Sequence, residues 1–150
     1  MQRRSKLCSD TEVKTVMRTY SELAQIDNFE DRFEYLKLGG EVGATTFGFD
    51  RYVNQQFYRS REWRLMRQKI IARDIGCDLG VEGYEIYDRI YIHHMNPMTV
   101  DDLTHGNEEI LDPEYLISTT HRTHNAIHYG DASLLRKDLV ERKPGDTKLW

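Results

Sequence analysis

Two histidine-bearing stretches decide the fold of this chain: residues 91–97, YIHHMNP, and residues 120–129, THRTHNAIHY. The first is rich in β-branched and aromatic residues, which is typical of a strand, and the second has helical spacing behind a threonine that can cap a helix. Successive side chains of a strand point to opposite faces, so His93 and His94 are expected to face opposite ways. His124 and His128 lie four residues apart on one helix face, where the two imidazoles can close on one metal ion.

The length and composition of the chain indicate which class of protein it belongs to. It has 150 residues, 39% of them hydrophobic and 31% charged, and a formal charge of −4. This is the size of one domain with its own core. No apolar run approaches the roughly 20 residues of a membrane span, so no membrane partner is expected. The start of the chain, MQRRSKLCSD, has no apolar signal region, and its two cysteines, Cys8 and Cys77, argue against a disulfide framework, so a cytoplasmic location is expected.

Charge is unevenly distributed along the sequence. Residues 51–73 carry a charge of +6, and residues 74–131, which hold all six histidines, carry −10. Because phosphate backbones respond to the local field, the negative total does not exclude DNA as a partner. The alternative is that the basic stretch is a solvated helix face.

Local signals predict helices in the first half of the chain. The capping-box pattern from Ser9 to Glu12 predicts a helix that continues through Leu23. A second helix is predicted from about Asn28, and residues 41–50 have the composition of a loop.

Helical signal resumes near Asp50 and again after Ser60, where an apolar stripe recurs at helical spacing. The same segment carries a basic ridge at three-residue intervals, which is a candidate phosphate-binding surface. The ridge consists of Arg61, Arg64 and Arg67. For Arg67 the alternative is a salt bridge within the domain.

In the second half, residues 84–95 are rich in tyrosine and isoleucine and predict a strand or hairpin. A short strand is predicted at residues 115–118. The last residues predict a short helix followed by a turn-rich tail.

The histidine pattern suits hydrolysis of a phosphodiester. A divalent ion neutralises charge on the phosphoryl and leaving oxygens, and a nearby imidazole, with a pKa near neutrality, takes a proton from the attacking water. The same histidines could hold a structural ion, although such a site is expected to close with four ligands and His94 should point away from the other three.

These residues resemble the HNH endonucleases, which have the ββα-metal fold. The family opens its core with an Asp-His or His-His pair and a proline three residues on, matched by HHMNP at residues 93–97. It closes with a helical run similar to C-x-x-C-H-N, matched by THRTHN at residues 120–125. The His-x3-His extension is similar to the colicin DNases, and residues 58–77 are similar to the lead-in of bacteriophage HNH proteins.

The resemblance covers about residues 57–130 and implies an α+β fold with a ββα-metal core over that range. An N-terminal helical region, residues 1–56, is then expected to pack on the core, and residues 131–150 form a C-terminal helix and tail. The resemblance also implies site residues. His94 would be the general base, His93, His124 and His128 the metal ligands, and the basic ridge a DNA contact.

Two positions depart from the family pattern. Tyr115 stands where the family has an asparagine that pins the loop carrying the base, so its hydroxyl is a candidate replacement in the catalytic site, with Asn107 as an alternative. Many relatives carry zinc-binding cysteines at positions that here are Cys77, Gly80, Thr120 and Thr123. No structural zinc is therefore expected.

The resulting hypothesis is a metal-dependent DNA endonuclease of phage or prophage type, using one divalent ion (Mg²⁺, Mn²⁺, Ni²⁺ or Zn²⁺). The resemblance implies 5′-phosphate and 3′-hydroxyl ends, a phage-infected or lysogenic bacterial host, and the phage packaging machinery as a further partner. One alternative is a catalytically weak DNA-binding or packaging-accessory protein that uses the metal for shape. Another is a metal-dependent RNase.

Overall fold

The computed structural model describes residues 17–38, 51–81, 83–98, 100–135 and 143–144, with the backbone alone for residues 51–54 and 100. The helices of this part of the chain are α1 (Tyr20–Leu23), α2 (Phe29–Leu36), α3 (Arg51–Arg59), α4 (Arg61–Arg73), α5 (Val100–His105) and α6 (His121–Tyr129). The strands are β1 (Tyr91–His94) and β2 (Leu116–Thr119), and short 3-10 turns span Glu108–Leu111, Pro113–Tyr115 and Ala132–Leu135. Among these helices, none is long and apolar enough to cross a membrane.

The two strands form a small antiparallel sheet that lies between two helices. Tyr91 pairs with Thr119 and His94 with Leu116, so each cross-strand pair shares a face of the sheet. On one face, Leu116 packs with Trp63 and Ile70 of α4. On the other, Ile117 packs with residues of α6 and of the N-terminal helices. The chain is therefore a mixed α+β fold built around a two-stranded sheet.

The helices flanking the sheet begin and end where the local sequence predicts. Ser60 caps α4 by accepting a hydrogen bond from the Trp63 amide, and Thr120 caps α6 by accepting one from the Thr123 amide. Gly130 ends α6 in the left-handed conformation, with φ 64°. An alanine at this position would place its Cβ 2.6 Å from the Leu38 carbonyl oxygen, so close packing as well as backbone conformation requires glycine here.

The prediction of a strand over residues 84–95 is wrong for most of that range. Only Tyr91–His94 is a strand, and Glu85 makes a single isolated bridge with Cys77. The tyrosines and isoleucines favour strand locally, but β2 offers only four residues to pair with. β2 itself begins one residue later than predicted, because Tyr115 closes a 3-10 turn.

The first predicted helix is also placed differently. Residues 9–16 and the predicted loop at 41–50 lie outside the described residues, and residues 17–19 are not helical. A new helix begins after Thr19, whose side chain accepts a hydrogen bond from the Glu22 amide. The predicted helix after Asn28 is confirmed, with Asn28 as its cap.

The N-terminal helices α1 and α2 pack on the sheet and α6. Leu23 and Leu36 belong to one buried cluster with Met95, Ile117 and Ile127. The segment after α2 is also tied by its backbone, since the Leu38 amide donates to the Ile127 carbonyl at 2.9 Å. These contacts hold α6 against the sheet from the side opposite α4.

Two buried carboxylates fix the turn that follows α4. Asp74 accepts hydrogen bonds from Arg73 Nε and the Ser118 amide, at 2.7 Å each. Asp78 accepts from the amides of Gly80 and Thr120, at 2.9 Å each. The Asp78 carboxylate thereby joins the turn after α4 to Thr120, the N-cap residue of α6.

Gly80 allows the close approach at this turn. A Cβ on Gly80 would lie 2.6 Å from the Thr123 Cγ2, well inside van der Waals contact. The small residue thereby lets the turn after α4 lie against the first turn of α6.

Candidate metal centre

Three histidines converge between β1 and α6. His93 comes from the strand, and His124 and His128 come from one face of the helix, as their spacing predicts. One ring nitrogen from each lies within 4.8 Å of those of the other two. The Nε2 atoms of His124 and His128 are 3.2 Å apart. We call these three residues the histidine triad.

The triad combines one buried histidine, His93, with two partly buried ones, and several of its ring nitrogens lack hydrogen bonds within the described part of the chain. His93 is fully buried, and neither of its ring nitrogens has a hydrogen-bond partner among the residues that the structure describes. The Nδ1 of His128 is in the same situation. A buried polar atom left without a partner costs about 1–3 kcal/mol, and such an atom in a native fold often marks the place of an ion or a water.

Burial also sets the protonation state of the triad. Desolvation lowers the pKa of His93 well below its usual value of 6.5, and the positive charges of protonated His128 and His124 would lower it further. The pKa of His124 falls to about 4, chiefly through desolvation and then through His128. Desolvation lowers the pKa of His128 as well. All three rings are therefore neutral at neutral pH, which is the form that binds a metal ion.

These features fit a divalent cation. Three neutral imidazoles converge, and buried nitrogens that lack other partners are free to coordinate. Three protein ligands are also the number found at catalytic zinc sites, which keep one position for water or substrate.

His94 lies on the other face of the sheet from His93, as strand alternation predicts. Its ring stacks on Trp63, with centroids 5.2 Å apart and an angle of 14° between the planes. Its Nε2 lies 3.2 Å from the Ile110 carbonyl oxygen. Desolvation lowers the pKa of His94 to about 4, although the Ile110 carbonyl acts against that shift. The structure therefore brings together His93, His124 and His128 but places the fourth histidine beside α4.

Tyr115 and Asn107 both lie close to His94. They line a small cavity of about 40 Å³ together with His94 and Asn96. The Tyr115 carbonyl accepts a hydrogen bond from the Met95 amide at 3.0 Å, which fixes the chain just after β1. Asn107 caps the 3-10 turn that carries Ile110, the residue whose carbonyl meets the His94 ring.

Two residues of the basic ridge are exposed, and the third is hydrogen-bonded to another part of the fold. Arg61 and Arg64 are exposed on α4. Arg67 is partly buried, and its Nη2 donates to the Ile90 carbonyl at 2.9 Å, just before β1. Arg73, at the end of the same helix, donates to the carbonyls of Pro113 and Leu116 as well as to Asp74. The basic residues nearest the sheet thus hold the fold together.

Sequence reasoning missed two aromatic neighbours of the histidines. Trp63 belongs to the predicted apolar stripe of α4, and its ring also covers His94. Tyr91 was taken only as a strand residue, yet its ring contacts His124 and His121, with centroids 5.7 and 5.0 Å apart. The signal for Tyr91 was present, since it lies two residues before His93 and so shares its face of the strand.

Function has to be argued from these residues. The chain matches no protein-family model, no curated protein and no solved structure.

Proposed function

We propose that this protein is a divalent-metal-dependent DNA endonuclease with an HNH-type ββα-metal core formed by β1, β2 and α6. One observation supports this most strongly: three neutral histidines converge in a buried site where His93 has no other hydrogen-bond partner in the described structure. A bound cation would give these ring nitrogens the partner that they lack. His94 follows directly in the chain as a candidate base. His93, His124 and His128 are the proposed ligands.

The bound ion would neutralise charge on a phosphoryl oxygen and on the leaving oxygen. The three histidines hold it on a rigid framework, since one ligand belongs to the sheet and two belong to one turn of α6. Imidazole ligands favour Zn²⁺ or Ni²⁺, whereas Mg²⁺ prefers oxygen, so we expect the tightest binding among the first two.

His94 is the proposed general base. A carbonyl oxygen only accepts, so the neutral ring donates from Nε2 to Ile110 and leaves the lone pair on Nδ1. That nitrogen takes the proton as water oxygen bonds to phosphorus. The phosphorus–oxygen bond on the 3′ side breaks, and the 3′-oxygen leaves with a proton from solvent. With a pKa of about 4, the ring stays unprotonated throughout the neutral range.

The proposed phosphate contacts outside the metal site lie on α4. Arg61 and Arg64 are exposed there and can contact phosphates, which contribute affinity without sequence preference. Arg67 has a further role in holding α4 to the chain before β1 through Ile90. Tyr115 and Asn107, which share the cavity with His94, are proposed to keep its ring oriented.

Plasmid cleavage tests the proposal. The protein is incubated with supercoiled plasmid and Mg²⁺, Mn²⁺, Ni²⁺ or Zn²⁺, with and without chelator. We expect nicking that requires a metal, and a loss of about 10²–10⁴-fold in His94→Ala because a general base contributes that much. His105→Ala is the matched control, since His105 is an exposed histidine on α5.

Metal binding by calorimetry and circular dichroism show whether each variant is folded. His94→Ala should keep its metal, and His128→Ala should lose it. The proposal fails if no metal supports chelator-sensitive nicking, or if folded His94→Ala cleaves as fast as the wild type. His94→Gln serves the same purpose if the alanine variant does not fold.

A DNA-binding protein that uses the metal for shape is the second candidate. The observation that favours it is the position of His94, which stacks on Trp63 on the face of the sheet opposite His93. It predicts DNA binding that survives His94→Ala and no cleavage with any metal. Parallel digestion of single-stranded RNA and duplex DNA separates the DNase from an RNase.

A further inference from the structure

A wide groove opens beside the metal centre, between residues 84–91 and α6. Its volume is about 920 Å³, and four tyrosines line it: Tyr84, Tyr87, Tyr91 and Tyr129. This volume lies at the upper end of the roughly 300–1,000 Å³ that ordinary ligand-binding pockets span. None of these tyrosines has a place in the proposed hydrolysis.

Three of the tyrosine side chains are unusually exposed. Tyr87 is 88% exposed, and Tyr84 and Tyr129 are each 68% exposed. Large aromatic rings that share one groove and face solvent indicate a binding surface, because burying them against a flat ligand removes much apolar area from water. The flat ligands abundant near a phosphodiesterase site are nucleobases.

The fourth tyrosine connects the groove to the metal centre. Tyr91 is partly buried, and its ring centroid lies 5.7 Å from that of His124, a proposed ligand. The Arg89 guanidinium also lies 5.6 Å from the Tyr91 ring centroid. A strand lying in the groove would therefore contact Arg89 and Tyr91, the residue that adjoins the proposed ligand His124.

The charges of the groove are nearly balanced. Among the described residues that line it, Arg89 and Arg122 are matched by Glu85 and Asp88. The Glu85 carboxylate accepts a hydrogen bond from the Tyr87 hydroxyl at 3.2 Å. A surface without net charge is expected to bind a duplex weakly, because proteins bind duplex DNA mainly through phosphate contacts and its bases are already stacked on one another. It is expected to bind unpaired bases more tightly, because they can stack on aromatic rings.

We propose that this groove binds an unpaired stretch of DNA, with bases stacked on Tyr84, Tyr87 and Tyr129 and the backbone leading past Arg89 to the metal centre. The proposal rests on the nuclease function above and specifies its substrate as single-stranded DNA or duplex DNA with an unpaired flap. His121 and Asn125 lie on the α6 wall of the groove with Nε2 and Nδ2 3.3 Å apart. They offer hydrogen bonds to base edges there.

Fluorescence anisotropy with a labelled oligothymidylate of about ten nucleotides tests the inference, with chelator present so that nothing is cut. The expected result is tighter binding to the single strand than to a blunt duplex of the same length. Stacking is worth about 1–3 kcal/mol per base, so Tyr87→Ala should weaken single-strand binding by about 5–150-fold. Tyr87→Phe should stay near the wild type, because a phenyl ring still stacks.

Two controls sharpen the measurement. Leu65→Ala removes an exposed apolar side chain on α4, outside the groove, and should leave the affinity unchanged. Salt titration should give a shallow slope of about −1, because a nearly neutral groove neutralises only one or two phosphates at about −0.7 each. A steep slope would assign the binding to the basic ridge instead.

The inference is wrong if the duplex binds as tightly as the single strand, if an RNA strand binds better than DNA, or if Tyr87→Ala and Tyr129→Ala both bind like the wild type. In those cases metal-dependent plasmid nicking can still hold, and the nuclease proposal stands by itself. Conversely, tyrosine-dependent binding to the single strand without any cleavage would refute the nuclease while retaining the groove as a DNA site.

Discussion

Two buried polar clusters lie beside the sheet, and they differ in how their polar atoms are satisfied. In the carboxylate pair, Asp74 and Asp78, all four oxygens accept hydrogen bonds, three of them from backbone amides. In the histidine triad, both nitrogens of His93 and the Nδ1 of His128 have no partner among the described residues. The fold thus satisfies every carboxylate oxygen of the first cluster with a hydrogen bond and leaves several ring nitrogens of the second without one in this part of the chain.

This difference indicates that the carboxylate pair has a structural role and the triad a ligand-binding role. A buried charged group is tolerated when hydrogen bonds replace its water, and it then stabilises the fold. A buried group without partners destabilises the fold unless an external ligand completes it. The carboxylate pair is therefore expected to stabilise the fold with or without a metal ion, and the triad to stabilise it chiefly when it binds a cation.

The largest effect is expected for Asp78→Ala. The change removes two charge-assisted hydrogen bonds and leaves the buried amides of Gly80 and Thr120 unpaired. We expect the free energy of unfolding to fall by about 3–6 kcal/mol, since each of the two bonds contributes about 1.5–3 kcal/mol. Urea denaturation measures this loss. Asp27→Ala, at an exposed carboxylate, is the control, and an equal loss in both variants would contradict the assigned role.

The next effect is expected from metal addition. A divalent ion at one hundred times its dissociation constant should stabilise the wild type by about 2.7 kcal/mol, because it binds only the folded state. Thermal denaturation with Zn²⁺ or Ni²⁺ measures the shift. In His128→Ala the shift should disappear. If that variant is stabilised as much as the wild type, the triad is not the binding site.

The metal-free protein should also lose stability in acid. The folded triad has pKa values below 6.5, near the value of an unfolded histidine, so the unfolded state binds more protons. Stability is then fully present above pH 6.5 and lost as the pH falls toward 4, by at most about 1.4 kcal/mol per pH unit for the largely buried His124 and by less for the more exposed His128. Urea denaturation of His124→Ala between pH 6 and 5 should show a shallower slope. An unchanged slope would argue against a buried neutral His124.

The smallest effect is expected at Ser118. Its Oγ is also buried without a partner in the described structure, but Ser118 lies on the face of the sheet opposite His93 and is not one of the three converging histidines. Ser118→Ala should therefore change the free energy of unfolding by about 1 kcal/mol or less, because removing an unpaired hydroxyl costs little. Metal binding should be unchanged. A large loss of metal affinity would show that the site extends across the sheet.

Local sequence signals predicted the elements that carry the site. The caps at Ser60 and Thr120 place α4 and α6, and the four-residue spacing of His124 and His128 places both on one face. Strand alternation predicted the opposite orientations of His93 and His94. Each of these features depends on residues within one or two turns of chain.

Features set by distant partners could not be predicted. The length of β1 depends on how many residues β2 offers, and the stacking of His94 on Trp63 joins two elements 31 residues apart. Asp74 and Asp78 belong to the segment with a charge of −10, and nothing in the local pattern shows that they are buried. Arg67 looked like a DNA contact for the same reason, since its carbonyl partner at Ile90 is visible only in the fold.

Thr120 connects the carboxylate pair to the triad through hydrogen bonds. It follows directly on β2, its amide is held by Asp78, its side chain caps α6, and its carbonyl accepts from the His124 amide. Thr120 therefore contributes, together with the buried contacts of Ile127, to the orientation of α6 relative to the sheet. Asp78→Ala would remove one of the hydrogen bonds that position the first turn of α6 without changing any of the proposed metal ligands.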